Sequence, residues 1–364
     1  MIVKDEAKVI ERCLASVKPL IDFWVISDTG SADGTQGIIR EFLADIPGEL
    51  HEDEWVDFGH NRSLNLRHAR GKADFLLLID ADIVVRIEGP LPELRADSFM
   101  VQHAGELLYR NRRLVRGDID WRYVGATHEY ITADRAVSSA NLDAWVVEHF
   151  ADGGSRADKF ERDARLLQQD IDRDPGNARA VFYLAQTMRD MGNTQRAIEL
   201  YSRRASMGGW AEEVCYSLLQ VGVLESDRGN WGAGMDALTR AWEARPQRLE
   251  ACYELASRLR AKGNHQAAHA FAVAGLGRPI PDDVLFMSPW IYRWGLLFEF
   301  SITSYWVGDR AASLRACDEL LAMDDLPARF RDQTLRNREF SAPQAAPPAD
   351  VPTPRSSVLR ARME

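Results

Sequence analysis

The chain has 364 residues, of which 46% are hydrophobic and 27% charged, a globular composition long enough for two or three domains. No apolar run approaches the roughly 20 residues that cross a bilayer, and the start lacks a signal-peptide pattern. The net charge is −10, and residues 1–150 hold most of it, with 17 basic against 26 acidic side chains; this disfavours a nucleic-acid partner, which needs clustered Lys and Arg, and suits a divalent cation.

The four cysteines, Cys13, Cys215, Cys252 and Cys317, form no CxxC pair. They predict free thiols in a reducing cytoplasm rather than a disulfide framework or zinc knuckle.

In chain order, Met1–Lys4 reads as a first strand, beginning at or before Met1, and residues 6–17 as an amphipathic helix. Phe23–Ser27 (FWVIS) reads as a buried strand running into Asp28-Thr29-Gly30-Ser31, with a helix over 34–43. A third strand is expected over 49–55, and a helix over 58–70 with Arg62 and Asn65 on one side. Phe75–Ile79 (FLLLI) reads as a strand buried on both faces. Short apolar runs separated by helices predict βαβ units and a mostly parallel sheet.

From about Arg156 the periodicity is helical throughout. Gly192-Asn193, Gly229-Asn230, Gly263-Asn264 and Gly308-Asp309 recur at spacings of 37, 34 and 45. An aromatic-led segment precedes each, and a small residue follows five positions after each glycine: Ala197, Gly234, Ala268 and Ser313. Helix, glycine turn and helix repeated near 34 residues resembles tetratricopeptide repeats, with an inserted loop at Pro279–Pro289 before the last. The expected domains are 1–155 (α/β), 156–338 (helical repeats) and a disordered Pro/Ala-rich tail at 339–364.

Two segments carry chemistry. Asp80-Ala81-Asp82 follows FLLLI at the carboxyl end of a strand, where open α/β sheets bind ligands. Paired carboxylates there suit Mg²⁺ or Mn²⁺ shared with substrate phosphates, although a DxD alone is also met as two solvated loop acids. Asp28–Thr35 (DTGSADGT) is a strand-to-helix turn, either a simple cap or a site where Asp28 reaches a base or ribose.

Taken together, MIVKDE at 1–6, VISDTGSADGT at 25–35 and ADFLLLIDADI at 73–83 resemble the inverting glycosyltransferases of family 2, which have the Rossmann-like GT-A fold. More loosely, WRYVGATHE (121–129) and EHFADGGSRADK (148–159) followed by repeats resemble a subgroup with a tetratricopeptide extension, similar in layout to sublancin-type peptide S-glycosyltransferases. Asp5 departs from the family's usual Asn.

The resemblance implies a donor site formed by Val3, Lys4, Glu6 and Asp28, and Mn²⁺ or Mg²⁺ held by Asp80 and Asp82 against the diphosphate of a UDP-sugar, with Asp80 also facing the donor. It implies His149 as a further metal ligand and Arg156 and Lys159 as phosphate contacts. Glu129 in His128-Glu129 is the expected catalytic base, with Asp118 and Asp120 as alternatives. The HE pair is not a metalloprotease signature, because position 132 is Thr. The expected partners are a UDP-sugar, with glucose as the expected sugar, and a peptide, natural-product or glycan acceptor, with a homodimer left open. Trp290, Tyr292 and Trp294 are read either as repeat packing or as an acceptor surface. The competing reading is a degenerate domain on a repeat scaffold that recruits partners.

Overall fold

The computed structural model describes residues 1–105, 109–153 and 159–342. Arg156 and the Pro/Ala-rich segment expected to be disordered lie outside the described residues, apart from the segment's first four positions.

The chain opens with alternating strands and helices: β1 (Ile2–Val3), α1 (Ile10–Val17), β2 (Trp24–Asp28), α2 (Thr35–Phe42), β3 (Gly48–Glu52), α3 (Phe58–Ala69) and β4 (Phe75–Leu77). It continues through β5 (Ile83–Ile87), β6 (Ser98–His103), β7 (Arg110–Arg116), the hairpin β8 (Trp121–Val124) and β9 (Tyr130–Ala133), and the long β10 (Ser139–His149). Strands β1, β2 and β3 form a parallel sheet in that order. A second sheet has the order β4-β7-β6-β10-β5.

Helix α1 packs on both sheets because its apolar residues fall at helical spacing. Ile10 and Leu14 join Val3, Ile26 and Ile39 in one core, whereas Cys13 and Val17 join Ile83, Val101 and Val147 in the other.

The second sheet is less parallel than the sequence pattern predicts. Only β6 and β10 pair in parallel; β4–β7, β7–β6 and β10–β5 are antiparallel. FLLLI is not a strand buried on both faces either. β4 is a half-buried edge strand of three residues. Leu76 and Leu78 pack with Leu66 of α3 and Trp121 of the hairpin, so side chains that suggested a central strand instead fill an edge against α3.

Helices α4 (Lys159–Arg173), α5 (Ala178–Asp190), α6 (Thr194–Ser206), α7 (Ala211–Asp227), α8 (Trp231–Ala244), α9 (Glu250–Ala261), α10 (His265–Gly275), α11 (Leu296–Trp306), α12 (Arg310–Leu321) and α13 (Ala328–Ser341) follow. The four glycine turns join α5–α6, α7–α8, α9–α10 and α11–α12. Gly192, Gly229, Gly263 and Gly308 have φ of +77°, +87°, +80° and +95°, a region open to glycine without a Cβ clash. Ala197, Gly234, Ala268 and Ser313 are all buried at the helix crossings. A Cβ at Gly234 would sit 2.1 Å from Ser226 Oγ, so only the smallest residue lets α7 and α8 approach there.

The Pro279–Pro289 insertion is fastened by buried charge. One Glu212 oxygen accepts from the amides of Val284 and Leu285, and Arg248 donates to the carbonyls of Leu285 and Phe286. Trp290 and Trp294 pack at 5.0 Å, Trp294 meets Phe330, and the Tyr292 hydroxyl accepts from the Leu249 amide. All three aromatic residues take part in the packing of the repeats.

The sheet region and the first repeat helices meet at the loop between β8 and β9. The amide of Ala126 donates to Asp170 of α4 at 3.1 Å, and Arg179 of α5 donates to the carbonyl of His128 at 3.1 Å. The His128 ring stacks on Tyr183 of α5 at 4.1 Å. A fragment of residues 1–156 loses all of these partners and is expected to be insoluble or to lack fixed tertiary structure by amide NMR. Well-dispersed spectra from that fragment would show that the sheet region folds unaided.

Candidate functional site

The turn after β1 and the DTGSADGT loop after β2 are laced together. The amide of Asp5 donates to Ser31 Oγ at 2.9 Å, that of Glu6 to Thr35 Oγ1 at 2.8 Å, and that of Ala7 to Asp33 at 2.9 Å. In return Asp5 accepts from the Ala32 amide at 2.8 Å. Asp5 has φ +55°, a left-handed conformation that both Asp and Asn tolerate, and an Asp oxygen serves that bond as well as an Asn oxygen would.

Asp28 ends β2 and is almost fully buried. Its Oδ1 accepts from the amides of Gly30 and Ser31 at 2.9 and 2.8 Å, while Oδ2 is buried without a partner. Burial opposes its charge, but hydrogen bonds from Ser31 and Gly30 outweigh that and hold the carboxyl below its usual range.

In front of these loops lies a cleft of about 590 Å³. Of the expected site residues, Val3, Lys4, Glu6, Asp80, Asp82, His149 and Lys159 line it. Asp28 and Glu129 do not line it; of the loop after β2, Thr29 does. Lys159, Arg162 and Arg165 of α4 add cationic groups to its lining.

The two DxD carboxylates have different surroundings. Asp80 receives Arg62 on one oxygen at 2.6 Å and Arg113 on the other at 3.2 Å. Burial opposes its charge, but the two guanidiniums prevail and push its pKa well below the carboxylate range. Asp82 instead lies 3.0 Å from His149 Nε2. A Cβ on Gly153 would come within 3.0 Å of a Glu6 oxygen and 3.4 Å of an Asp82 oxygen, so Glu6, Asp82 and the segment after β10 are near neighbours. That segment is tied to α1 by the Arg12–Asp152 ion pair at 2.6 Å.

The expected trio of Asp80, Asp82 and His149 is therefore not gathered on one point. Among the described residues no three His, Cys, Asp or Glu side chains are grouped to hold a metal ion. Asp82 and His149 offer a hard oxygen and an imidazole, which fit two positions of an Mn²⁺ or Mg²⁺ ion completed by phosphate oxygens and water.

Glu129 lies on the other branch of Arg62, with Arg62 Nε 2.5 Å from its Oε1. Arg62 thus bridges Asp80 and Glu129, and Tyr123 lies 5.7 Å from its guanidinium. The Glu129 loop is seated on α3 through Gly59, where a Cβ would fall 2.2 Å from the carbonyl oxygen of Gly125. Asp118 and Asp120 are exposed and pair with Arg116 and Arg70; neither lines the cleft.

Sequence reasoning placed Arg62 on a helix face but not at the site, and passed over Arg113, Arg162 and Arg165. A basic residue inside the apolar face of a helix is the available signal for Arg62. Arg113 sits on a strand whose neighbours are also arginines, so nothing local distinguishes it.

Residues 1–94 match the model of the Glycosyl transferase family 2. The molecule combines a glycosyltransferase-like α/β domain with a tetratricopeptide-like helical region. A TPR repeat-containing protein of Synechococcus elongatus is 29% identical over 259 residues, a match covering 65% of this chain and 63% of that protein. This chain therefore spans less than two thirds of that relative. Among solved structures, MamA is 18% identical with a TM-score of 0.35, covering 50% of this chain and 89% of MamA. YrrB, a TPR protein, is 13% identical with a TM-score of 0.39, covering 50% of this chain and 86% of YrrB. The repeat assignment rests on the helices and turns described above.

His103 of β6 stands beside the site, 3% exposed, with neither ring nitrogen hydrogen-bonded. Burial first, then the nearby Arg113 and His149, lowers its pKa to about 3. Its folded pKa lies below its unfolded one, so its contribution to stability is complete above about pH 6.5 and is lost as the pH falls toward 3. His103→Phe is expected to lose less stability on acidification, by about 2 kcal/mol at pH 5 relative to wild type. Urea midpoints at pH 7 and pH 5 check this; parallel losses in both proteins would show that His103 does not take up the proton.

Proposed function

We propose that this chain is an inverting, metal-dependent glycosyltransferase that takes a sugar, with glucose first in order, from a UDP-sugar. The supporting observation is the charge pattern of the cleft: Asp80 and Asp82 at the end of β4, and Lys159, Arg162 and Arg165 from α4. A diphosphate bearing a divalent ion fits between such groups, since cationic side chains take phosphate oxygens and a carboxylate takes the ion. Asp82 and His149 would hold Mn²⁺ or Mg²⁺, which supplies charge neutralisation of the leaving diphosphate.

The remaining roles belong to the chain's own residues. Asp28 does not line the cleft; its part is to hold the loop after β2, whose Thr29 does, through the amides of Gly30 and Ser31. Lys159 and the α4 arginines hold phosphate. Glu129 takes the acceptor's proton as general base. The proposed setting is the cytoplasm, consistent with four free, buried cysteines; no helix among the described residues is long and apolar enough to cross a membrane.

One observation favours the degenerate-domain reading: Asp80 and Glu129 are both already ion-paired, Asp80 with Arg62 and Arg113 and Glu129 with Arg62. Release of UDP from UDP-glucose and related donors separates the two readings, since a degenerate domain releases none. Asp82→Asn is expected to retain the fold and to lose most Mn²⁺-dependent UDP binding in calorimetric titration, because a carboxamide is a poorer ligand for a hard cation. Unchanged metal-linked affinity would remove Asp82 from the site.

Glu129→Gln is expected to bind donor normally and lose transfer by roughly 10²–10⁴-fold, the usual range for a general base. With a thiol acceptor, part of that loss returns at higher pH, because the thiolate has already shed its proton. Loss of donor affinity in Glu129→Gln would instead place Glu129 in the donor site.

A further inference from the structure

Between β3 and α3 the chain runs through residues 53–57 without regular structure, yet this connection is closely held. Its start is tied to the end of β2, where the Asp53 amide donates to the Asp28 carbonyl at 2.9 Å. Asn61 of α3, fully buried, reaches back over it. The Asn61 side-chain oxygen accepts from the Val56 amide at 2.9 Å, and its side-chain nitrogen donates to the Glu54 carbonyl at 2.8 Å. These two bonds bracket Trp55. A buried amide side chain costs free energy unless its donor and acceptor are paired, and here both ends are spent on the flanks of one residue.

Trp55 is half-buried and lines the donor cleft. Its indole meets the Phe58 ring in a T-shaped contact at 4.9 Å, the planes at 82°. Phe58 also lines the cleft, and the Arg162 guanidinium lies 5.0 Å from its ring centre. The Phe58 amide donates to the Ala126 carbonyl at 3.0 Å. Trp55 is thus placed by its own loop, by α3 and, through Phe58, by α4, while it remains accessible from the cleft.

We propose that Trp55 is the platform on which the nucleobase of the donor stacks. The inference rests on the glycosyltransferase reading and names the residue that engages the base. Position in the cleft singles out the base among the parts of a nucleotide sugar. The diphosphate is assigned to Asp82, His149 and the cations of α4, and the reacting end to Glu129 with its partner Arg62. Arg62 lies beyond Phe58 by about 6 Å along α3, whereas Trp55 lies the other way, before the helix begins. The cleft also takes in the carboxyl ends of β1 and β2, with Val3, Lys4 and Thr29 in its lining, and β3, which leads to Trp55, adjoins β2 in the same parallel sheet. Parallel sheets bind nucleotides along such strand ends. Every base has a flat π face, which an aromatic side chain holds without regard to its edge groups. Among the described residues lining the cleft, indole is the largest such face, and Phe58 already carries Arg162.

The test titrates the full chain by calorimetry with UDP and with inorganic pyrophosphate, each in the presence of Mn²⁺. Pyrophosphate offers the phosphates and takes the metal but lacks the base. Trp55→Ala is expected to weaken UDP binding by roughly 5- to 150-fold, the range for loss of one base–aromatic stack, and to leave pyrophosphate affinity unchanged. Trp55→Phe keeps an aromatic face and is expected to retain most of the UDP affinity. Trp55→Leu fills the space without such a face and is expected to behave as Trp55→Ala does. Circular dichroism checks folding, and Trp55→Leu decides the matter where the alanine variant does not fold. Unchanged UDP affinity in the folded variants, or equal losses for UDP and pyrophosphate, would overturn the proposal. So would a wild type that binds pyrophosphate as tightly as UDP. Absence of both UDP and pyrophosphate binding in wild type would instead overturn the glycosyltransferase reading, and this inference with it.

Discussion

The site is organised around one buried cation. Arg62 has a side chain only 19% exposed and holds Asp80 at 2.6 Å and Glu129 at 2.5 Å. A guanidinium cannot shed its proton, so once it is buried its neighbours must answer its charge. The two carboxylates come from segments far apart in sequence, the end of β4 and the β8–β9 loop. Removing one partner of such a buried set costs about 3–5 kcal/mol, because the remaining charge is left uncompensated. Arg62 thus ties the HE loop to the DxD turn.

The same loop is held from its other side by the repeats. Asp170, Arg179 and Tyr183 all belong to α4 and α5, and each contacts residues 126–128. Gly59 removes the last obstacle by letting α3 come against the Gly125 carbonyl. Thus α3, α4 and α5 together define where Glu129 sits. The first repeat helices are part of the site's frame, and α4 adds Lys159, Arg162 and Arg165 to the Lys4 and Arg62 that also line the cleft. The insertion adds a second tie, since Phe286 meets Tyr109 at 6.5 Å, and Tyr109 stacks on His103 at 4.3 Å.

How far the sequence could be read follows from the range of the interactions involved. The parallel β1-β2-β3 unit and the glycine turns are local: a strand, a turn and a helix each carry their own signal, and Gly192 or Gly308 is demanded by the conformation of its own residue. The second sheet was less legible. FLLLI is apolar enough for a central strand, but its neighbours are chosen by chain segments forty and seventy residues away, and they make it an edge. Asp80 illustrates the same limit at the site. DxD spacing places two carboxylates at the carboxyl end of a strand, yet only the tertiary arrangement decides that one faces two arginines and the other a histidine. Arg113, between Arg112 and Leu114 on β7, carried no mark in the sequence of its pairing with Asp80.

The uneven charge of the chain acquires a physical sense from this geometry. Residues 1–150 carry an excess of acid, and several of those acids, Glu6, Asp80 and Asp82 among them, line the cleft. An anionic ligand would be repelled by that surface alone. Arg62 is already paired with Asp80 and Glu129, so the groups that offset the acids are Lys4 and the cations of α4. Coulomb attraction falls with distance and is weakened by water, so cations act on a bound anion only when their helix is docked against the acidic sheet edge. The docking of α4 is maintained by the contacts of Asp163 with Thr127 and of Asp170 with Ala126. An anion in the cleft would join Lys159, Arg162 and Arg165 to the loops after β1 and β4, adding a tie between the two regions to those the 125–129 loop already makes. By linkage, any ligand held in common by both sides strengthens their association by as much as that association strengthens the ligand's binding.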